Sequence, residues 1–190
     1  MVTSVSLYVV LLGLLYCERG VELIVSRRNA RRAVAAGAVE VGRRHYVVMA
    51  LFHVVFPIAC ATEVIALRRP FPGVAGIAAL LVALAAQGLR WWAVSVLGWR
   101  WNTRVLVLPG AAPVTGGPYR HIRHPNYLAV VLEMIAIPVI HGAWITALVF
   151  SAGNAALLGV RIRTEERALG PVYAEAFAGR PRFLPRGRHA

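Results

Sequence analysis

The chain has no lysine and no aspartate: its 21 basic residues are all arginine and its 8 acidic residues all glutamate. That choice reflects the codon bias of a GC-rich genome and carries no chemistry. Cysteine is scarce as well. Cys17 and Cys60 stand in separate apolar stretches without a CxxC pair, which argues against a disulfide framework or a zinc site and leaves both as small core residues. A P-loop, a GxGxxG turn and a nucleophile elbow are all missing, so the usual signatures of phosphate binding, dinucleotide binding and serine hydrolysis are absent. His121 and His124 lack a third ligand at a recognisable spacing, and no metal site is expected from them.

What the chain has in quantity is apolar surface. It is 58% hydrophobic with a mean hydropathy of +0.63, where soluble domains have about 45–50%. This composition predicts an integral membrane protein. Five segments approach the roughly 20 apolar residues a spanning helix needs: Val5 to Val25, His45 to Leu67, Val74 to Leu97, Tyr127 to Ile140 and Ala143 to Val160. The fourth is short and is separated from the fifth by His141-Gly142, so the two read as a tight helical hairpin. Glu18, Arg19 and Glu22 occupy the place of a signal-peptide cleavage site, and the first segment is expected to stay as a membrane helix.

The net charge of +13 does not form a solvated basic domain. Arginines gather instead in the first connection (Arg27, Arg28, Arg31, Arg32, Arg43, Arg44), before the fourth segment (Arg100, Arg104, Arg120, Arg123) and in the tail (Arg161, Arg163, Arg167, Arg180, Arg182, Arg186, Arg188). Only Arg68 and Arg69 lie in the opposite connection. The positive-inside rule then puts the N-terminus outside and the basic loops and tail in the cytoplasm, facing anionic lipid headgroups rather than nucleic acid. Polar residues within the spans, Glu18, Arg19, Glu22, His53, Glu63, Gln87, Arg90, Glu133 and Asn154, are expected mostly to pair between helices. Glu133 stands out because it lies on the helix that leaves the basic motif. Trp91, Trp92, Trp99 and Trp101 fit an interfacial belt, and the segment from Trp99 to Gly110 is expected to lie at the interface or fold back over a site.

The densest chemistry is in Gly117-Pro118-Tyr119-Arg120-His121-Ile122-Arg123-His124-Pro125-Asn126-Tyr127. Pro125 disfavours a helical His124 and suits the first turn of a new helix, so a helix should start there with Arg123 and His124 at its mouth. Such an N-terminus attracts anions, and Arg123 adds a charged fork. A second cluster, Arg161-Ile162-Arg163-Thr164-Glu165-Glu166-Arg167, places Arg161 and Glu165 on one helix face. Its carboxylates suit ribose hydroxyls or an ammonium group; a solvated, salt-bridged helix end would read the same way.

The run GPYRHIRHPNY, followed by a short apolar pair and RIRTEERAL, resembles the catalytic half of the isoprenylcysteine carboxyl methyltransferase family over about Trp99 to Pro185. Glu22 to Asn29 and Glu40 to Tyr46 are similar to a bacterial subgroup linked to O-methylation of alkylpyrone or alkylresorcinol polyketide lipids. With the five apolar segments read as membrane helices, the expected fold is an all-α, five-helix transmembrane bundle, and the resemblance implies that it has no Rossmann domain. Residues 1–98 would supply the first three helices, and residues 99–190 a cytoplasmic cofactor site, the C-terminal hairpin and the basic tail. It further implies S-adenosylmethionine as cofactor, held by Tyr119, His124, Pro125 and Tyr127 with Glu165 or Glu166, while Arg161 and Arg123 position the acceptor. Ala129 stands where the family has glycine, and of a later tyrosine pair Tyr173 remains with Phe177 beside it.

The expected reaction is methyl transfer to an anionic oxygen of a lipophilic acceptor, an isoprenylcysteine or a polyketide lipid, in a bacterial inner membrane. The arginine-only composition favours a bacterium and a small lipid. Three alternatives compete: an NADPH-dependent enzyme resembling sterol reductases, a phospholipid N-methyltransferase, and a non-catalytic lipid-binding scaffold. Paired glutamates suit a nicotinamide phosphate poorly, and arginines would repel an amine acceptor.

Overall fold

The computed structural model describes residues 3–183; Pro185, Arg186 and Arg188, invoked above, lie outside them. The described residues contain five α-helices, two short 3-10 turns at Gly98–Arg100 and Gly117–Arg120, and one two-stranded ribbon. Helix α1, Ser4–Ala35, begins at Thr3, whose side chain accepts the Ser6 amide at 3.2 Å. It continues past Val25, where the apolar run ends, because residues 26–35 contain neither glycine nor proline and are rich in alanine and arginine. Gly37, at φ 90°, turns the chain after it. The arginines assigned to a connecting loop thus partly ride on helix.

The remaining helices are α2 (Arg43–Ala66), α3 (Val74–Leu97), α4 (Pro125–Val139) and α5 (Trp144–Ala176). Among the described residues three stretches have the length and hydropathy to cross a membrane: His45–Ala66, Val74–Arg100 and Trp144–Ala176. The sequence led us to expect five. Helix α1 differs because Glu18, Arg19 and Glu22 interrupt it, and α4 because its 15 residues rise only about 22 Å against a ~30 Å hydrocarbon layer.

The interruptions in α1 are matched elsewhere. Glu18 accepts hydrogen bonds from Gln87 and, at 2.9 Å, from Trp91 Nε1 on α3, while Arg19 and Glu22 pair with Glu133 and Arg90. Glu63 of α2 does another job: its carboxylate accepts the Thr146 amide at 2.7 Å, the Thr146 hydroxyl at 2.8 Å and the Ile145 amide at 3.2 Å, capping the start of α5. A carboxylate there meets the positive end of the helix dipole. Gly76 lets α3 approach the end of α4, since a Cβ would sit 2.7 Å from the Ile140 carbonyl oxygen. Tyr8, Phe56, Cys60, Val64, Met134 and Ile137 fill the core beside it.

Two expectations need correcting. Cys60 is a core residue, but Cys17 is exposed on the outer face of α1. Trp91, Trp92 and Trp99 are exposed as a belt requires, whereas Trp101 is buried at 3%. Its neighbours explain the difference: the Trp101 carbonyl accepts Asn29 Nδ2 at 2.9 Å, and Asn102 Nδ2 donates to the Ser26 carbonyl at 2.8 Å. These bonds pull the chain after α3 onto the extended end of α1. The same segment then forms β2 (Val105–Val107), antiparallel to β1 (Val39–Val41), with Val39 opposite Val107. The ribbon joins the α1–α2 and α3–α4 connections at one end of the molecule, so the first two basic segments meet there.

Candidate cofactor and acceptor site

Helix α4 starts at Pro125, as its sequence predicts: His124 holds φ −128° and ψ 61°, outside the helical region, and the missing proline N–H falls where no intrahelical partner exists. The first turn then presents Tyr127 to α5. Its hydroxyl donates to Glu165 and accepts from Arg161 Nε at 2.8 Å. Arg161 is buried; its Nη2 donates to the Thr103 carbonyl at 2.7 Å, and Nη1 has only Met49 Sδ, at 3.9 Å. The guanidinium is therefore fixed on two sides with N–H capacity left over.

Glu165 and Glu166 diverge. Glu166 accepts His124 Nε2 at 3.0 Å and pairs with Arg182 at 2.6 Å, so it faces the tail and orients the His124 ring. That ring stacks on Tyr127, centroids 5.3 Å apart at 26°. Arg123 also turns to the tail: its Nε donates to the Arg180 carbonyl at 2.7 Å, while the amides of Arg123 and His124 donate to Pro181 and Arg182 at 2.9 and 3.1 Å. One nitrogen of the fork expected to catch an anion is thus taken by the chain itself, while Arg123 still lines the first cavity described below.

Helix α5 breaks at Gly170, φ 70° and ψ −163°, before Pro171. Glycine tolerates that conformation and proline cannot continue the hydrogen-bond ladder. The displaced last turns carry Tyr173 and Phe177, with ring centroids 4.6 Å apart, against Tyr119 and Ala93. Burial, reinforced by the negative charge of Glu165, pushes the Tyr119 hydroxyl above its ordinary range, so it stays a neutral phenol.

Two cavities meet at this point. The first, about 460 Å³, lies under the loop of residues 99–114 and is lined by Tyr119, Arg123, His124, Tyr127, Arg161, Glu165 and Tyr173 among others. The second, about 390 Å³, runs between α1, α2 and α4 past Met49, Phe56, Val130, Met134 and Leu158. Trp101, Asn102, Asn126, Tyr127 and Arg161 line both. Of the residues singled out from the sequence, Pro125 and Glu166 line neither cavity and support those that do. Sequence reasoning missed Trp101, Asn102, Thr103 and Asn126, although the last lies inside the basic motif. The polar Asn102-Thr103 step within a stretch too apolar for a free loop was the available signal for the others.

The model of the isoprenylcysteine carboxyl methyltransferase family matches residues 78–171, from α3 through Tyr127, Arg161 and Glu165 to the break in α5. A Bacillus subtilis protein, YpbQ, is 40% identical over 160 residues, covering 84% of this chain and 94% of its own. This chain belongs to the isoprenylcysteine carboxyl methyltransferase family. A Haemophilus influenzae protein is 27% identical over 157 residues, 81% of this chain and 90% of its own. The cobalt-zinc-cadmium resistance protein CzcN of Cupriavidus metallidurans is 32% identical over 108 residues, 55% of this chain and 46% of its own. The family match starts earlier than the motifs alone indicate and stops before Tyr173 and the tail.

Proposed function

We propose that this member of the family is a membrane-embedded, S-adenosylmethionine-dependent O-methyltransferase acting on an anionic oxygen of a lipophilic acceptor. The observation that carries the reading is the shared wall: a polar, aromatic-lined cavity and an apolar one meet at Tyr127 and Arg161. The residues of the first cavity fit the cofactor. Aromatic faces at Tyr119, His124, Tyr127 and Tyr173 suit an adenine and a sulfonium, and Glu165 is the carboxylate available to ribose hydroxyls or an ammonium group. Its volume lies within the ordinary range for small-molecule sites, roughly 300–1,000 Å³.

Bound there, S-adenosylmethionine supplies a methyl group on a positively charged sulfur. The protein's part is alignment. An acceptor carboxylate, enol or phenol brings its own negative charge, so no strong base is required, and the free N–H groups of Arg161 hold the oxygen against the wall facing the cofactor. Tyr127 and the Thr103 carbonyl keep that guanidinium from swinging away. The acceptor's apolar tail lies along Val130, Met134 and Leu158 in the second cavity.

The first cavity also contains Arg100, Arg104 and Arg123, which invites comparison with an NADPH site. Each is engaged, by the Ala112 carbonyl at 2.7 Å, by Glu40 at 3.3 Å and by the Arg180 carbonyl, whereas Glu165 repels a phosphate. An amine acceptor is disfavoured by Arg161 at the reaction centre. We further propose five membrane passages in a bacterial inner membrane, N-terminus outside, the α4–α5 pair serving as a short hairpin, the cofactor side cytoplasmic and the arginine-rich connections lying on anionic lipid. The acceptor in this reading is a polyketide lipid of the alkylpyrone or alkylresorcinol kind rather than a prenylated protein. Calorimetry on detergent-purified protein tests the core of it: micromolar binding of S-adenosylhomocysteine without binding of NADPH is expected. Binding of NADPH alone would move the chain to reductase chemistry, and binding of neither would favour a scaffold.

A further inference from the structure

Beyond its apolar run, α1 keeps a buried face. Ser26, Asn29 and Ala33 recur at helical spacing and are 3%, 7% and 6% exposed, although they lie outside residues 78–171, which the family model matches. Arg27, Arg28, Arg31 and Arg32 between them are exposed. What the buried face meets is the chain after α3. The Ser26 hydroxyl donates to Asn102 Oδ1 at 3.0 Å, accepts the Thr103 amide at 3.0 Å and lies 2.8 Å from the Thr103 hydroxyl. The Ser26 carbonyl accepts Asn102 Nδ2 at 2.8 Å. Thr103 precedes β2, whose ladder begins at Val105, so no strand bond holds it. Its amide is tied to α1 and its carbonyl accepts Arg161 Nη2 at 2.7 Å. One residue thus joins α1 to the guanidinium at which the two cavities meet.

Accepting Arg161 as the group that holds the acceptor's oxygen, we propose that Ser26 is a positioning residue for methyl transfer, setting through Thr103 where that guanidinium stands. A serine-to-alanine change leaves the Thr103 amide without its acceptor and frees the carbonyl to move. Tyr127 still holds Arg161 at Nε, so the guanidinium pivots about that bond instead of leaving the wall. Small displacements of an aligning group cost rate steeply. His124 and Glu165 are held from α5 and α4 instead, so cofactor affinity should not follow.

The test is competition against a fluorescent lipid by palmitate and by its methyl ester on the detergent-purified full chain, since a guanidinium distinguishes the two by charge. Wild-type protein should prefer palmitate about tenfold, and Arg161→Ala should remove the preference. Ser26→Ala should shrink it severalfold and change nothing further in the Arg161→Ala background, a non-additivity that a merely structural role would not produce. Ser26→Cys fills the same place with a poor hydrogen-bonding group and serves where the alanine variant does not fold. A full preference in both Ser26 variants, or an equal loss of palmitate affinity from Ser26→Ala with and without Arg161, would overturn the inference and leave the role of Arg161 standing. No preference in the wild type would overturn both, and S-adenosylhomocysteine binding on the same samples then shows whether the cofactor reading survives alone.

Discussion

The cavity under the loop of residues 99–114 and the cavity between α1, α2 and α4 differ in how they are walled. The first is roofed by non-helical chain, the loop of residues 99–114 with β2, above the turn before Pro125 and the broken end of α5. Two of its arginines reach backbone carbonyls as well as side chains, Arg161 that of Thr103 and Arg100 that of Ala112. The second is walled almost wholly by helix faces, and its charges are met by other side chains. Irregular chain offers backbone amides and carbonyls that a helix uses within itself, so the first construction suits the polar ligand proposed for it and the second the apolar one.

That division can be broken by mutation. The largest effect belongs to the shared wall: Arg161→Ala should lower methyl transfer by about a hundredfold or more while leaving S-adenosylhomocysteine affinity nearly unchanged. Equal loss of both would mean that the two cavities act as a single site. Next comes Glu165→Ala, which should weaken S-adenosylhomocysteine by about tenfold or more through loss of charge-assisted hydrogen bonds, read by calorimetry. Val130→Phe narrows only the second cavity. It should lower kcat/KM for the acceptor severalfold with cofactor affinity intact, and a matching fall in cofactor affinity would blur the division. Smallest is Arg182→Ala: its partner Glu166 is held by a half-exposed guanidinium, so the loss of cofactor binding should correspond to less than about 1 kcal/mol.

The helical start at Pro125 and the shared face of Arg161 and Glu165 were legible because proline geometry and helical spacing act locally, whereas the pairing of the two clusters came only from the family resemblance. The two glutamates could not be told apart from spacing. Their difference comes from Arg182, a partner on the far side of the break at Gly170, and from the Tyr127 hydroxyl. Arg123 shows the same limit: its place at the helix mouth was legible, but the bond of its Nε to the Arg180 carbonyl comes from beyond the break at Gly170. The ribbon was missed because three-residue strands leave too little alternation to detect, and only the long-range bonds of Ser26 and Asn29 bring the loop into place.

The amides of Arg123 and His124 donate to the carbonyls of Pro181 and Arg182, and the two sides of these bonds are separated in the chain by all of α4 and α5. Contacts of such long sequence separation can form only after both helices have been made. The mouth of α4, set early by Pro125, is therefore finished last, by the segment beyond the break at Gly170.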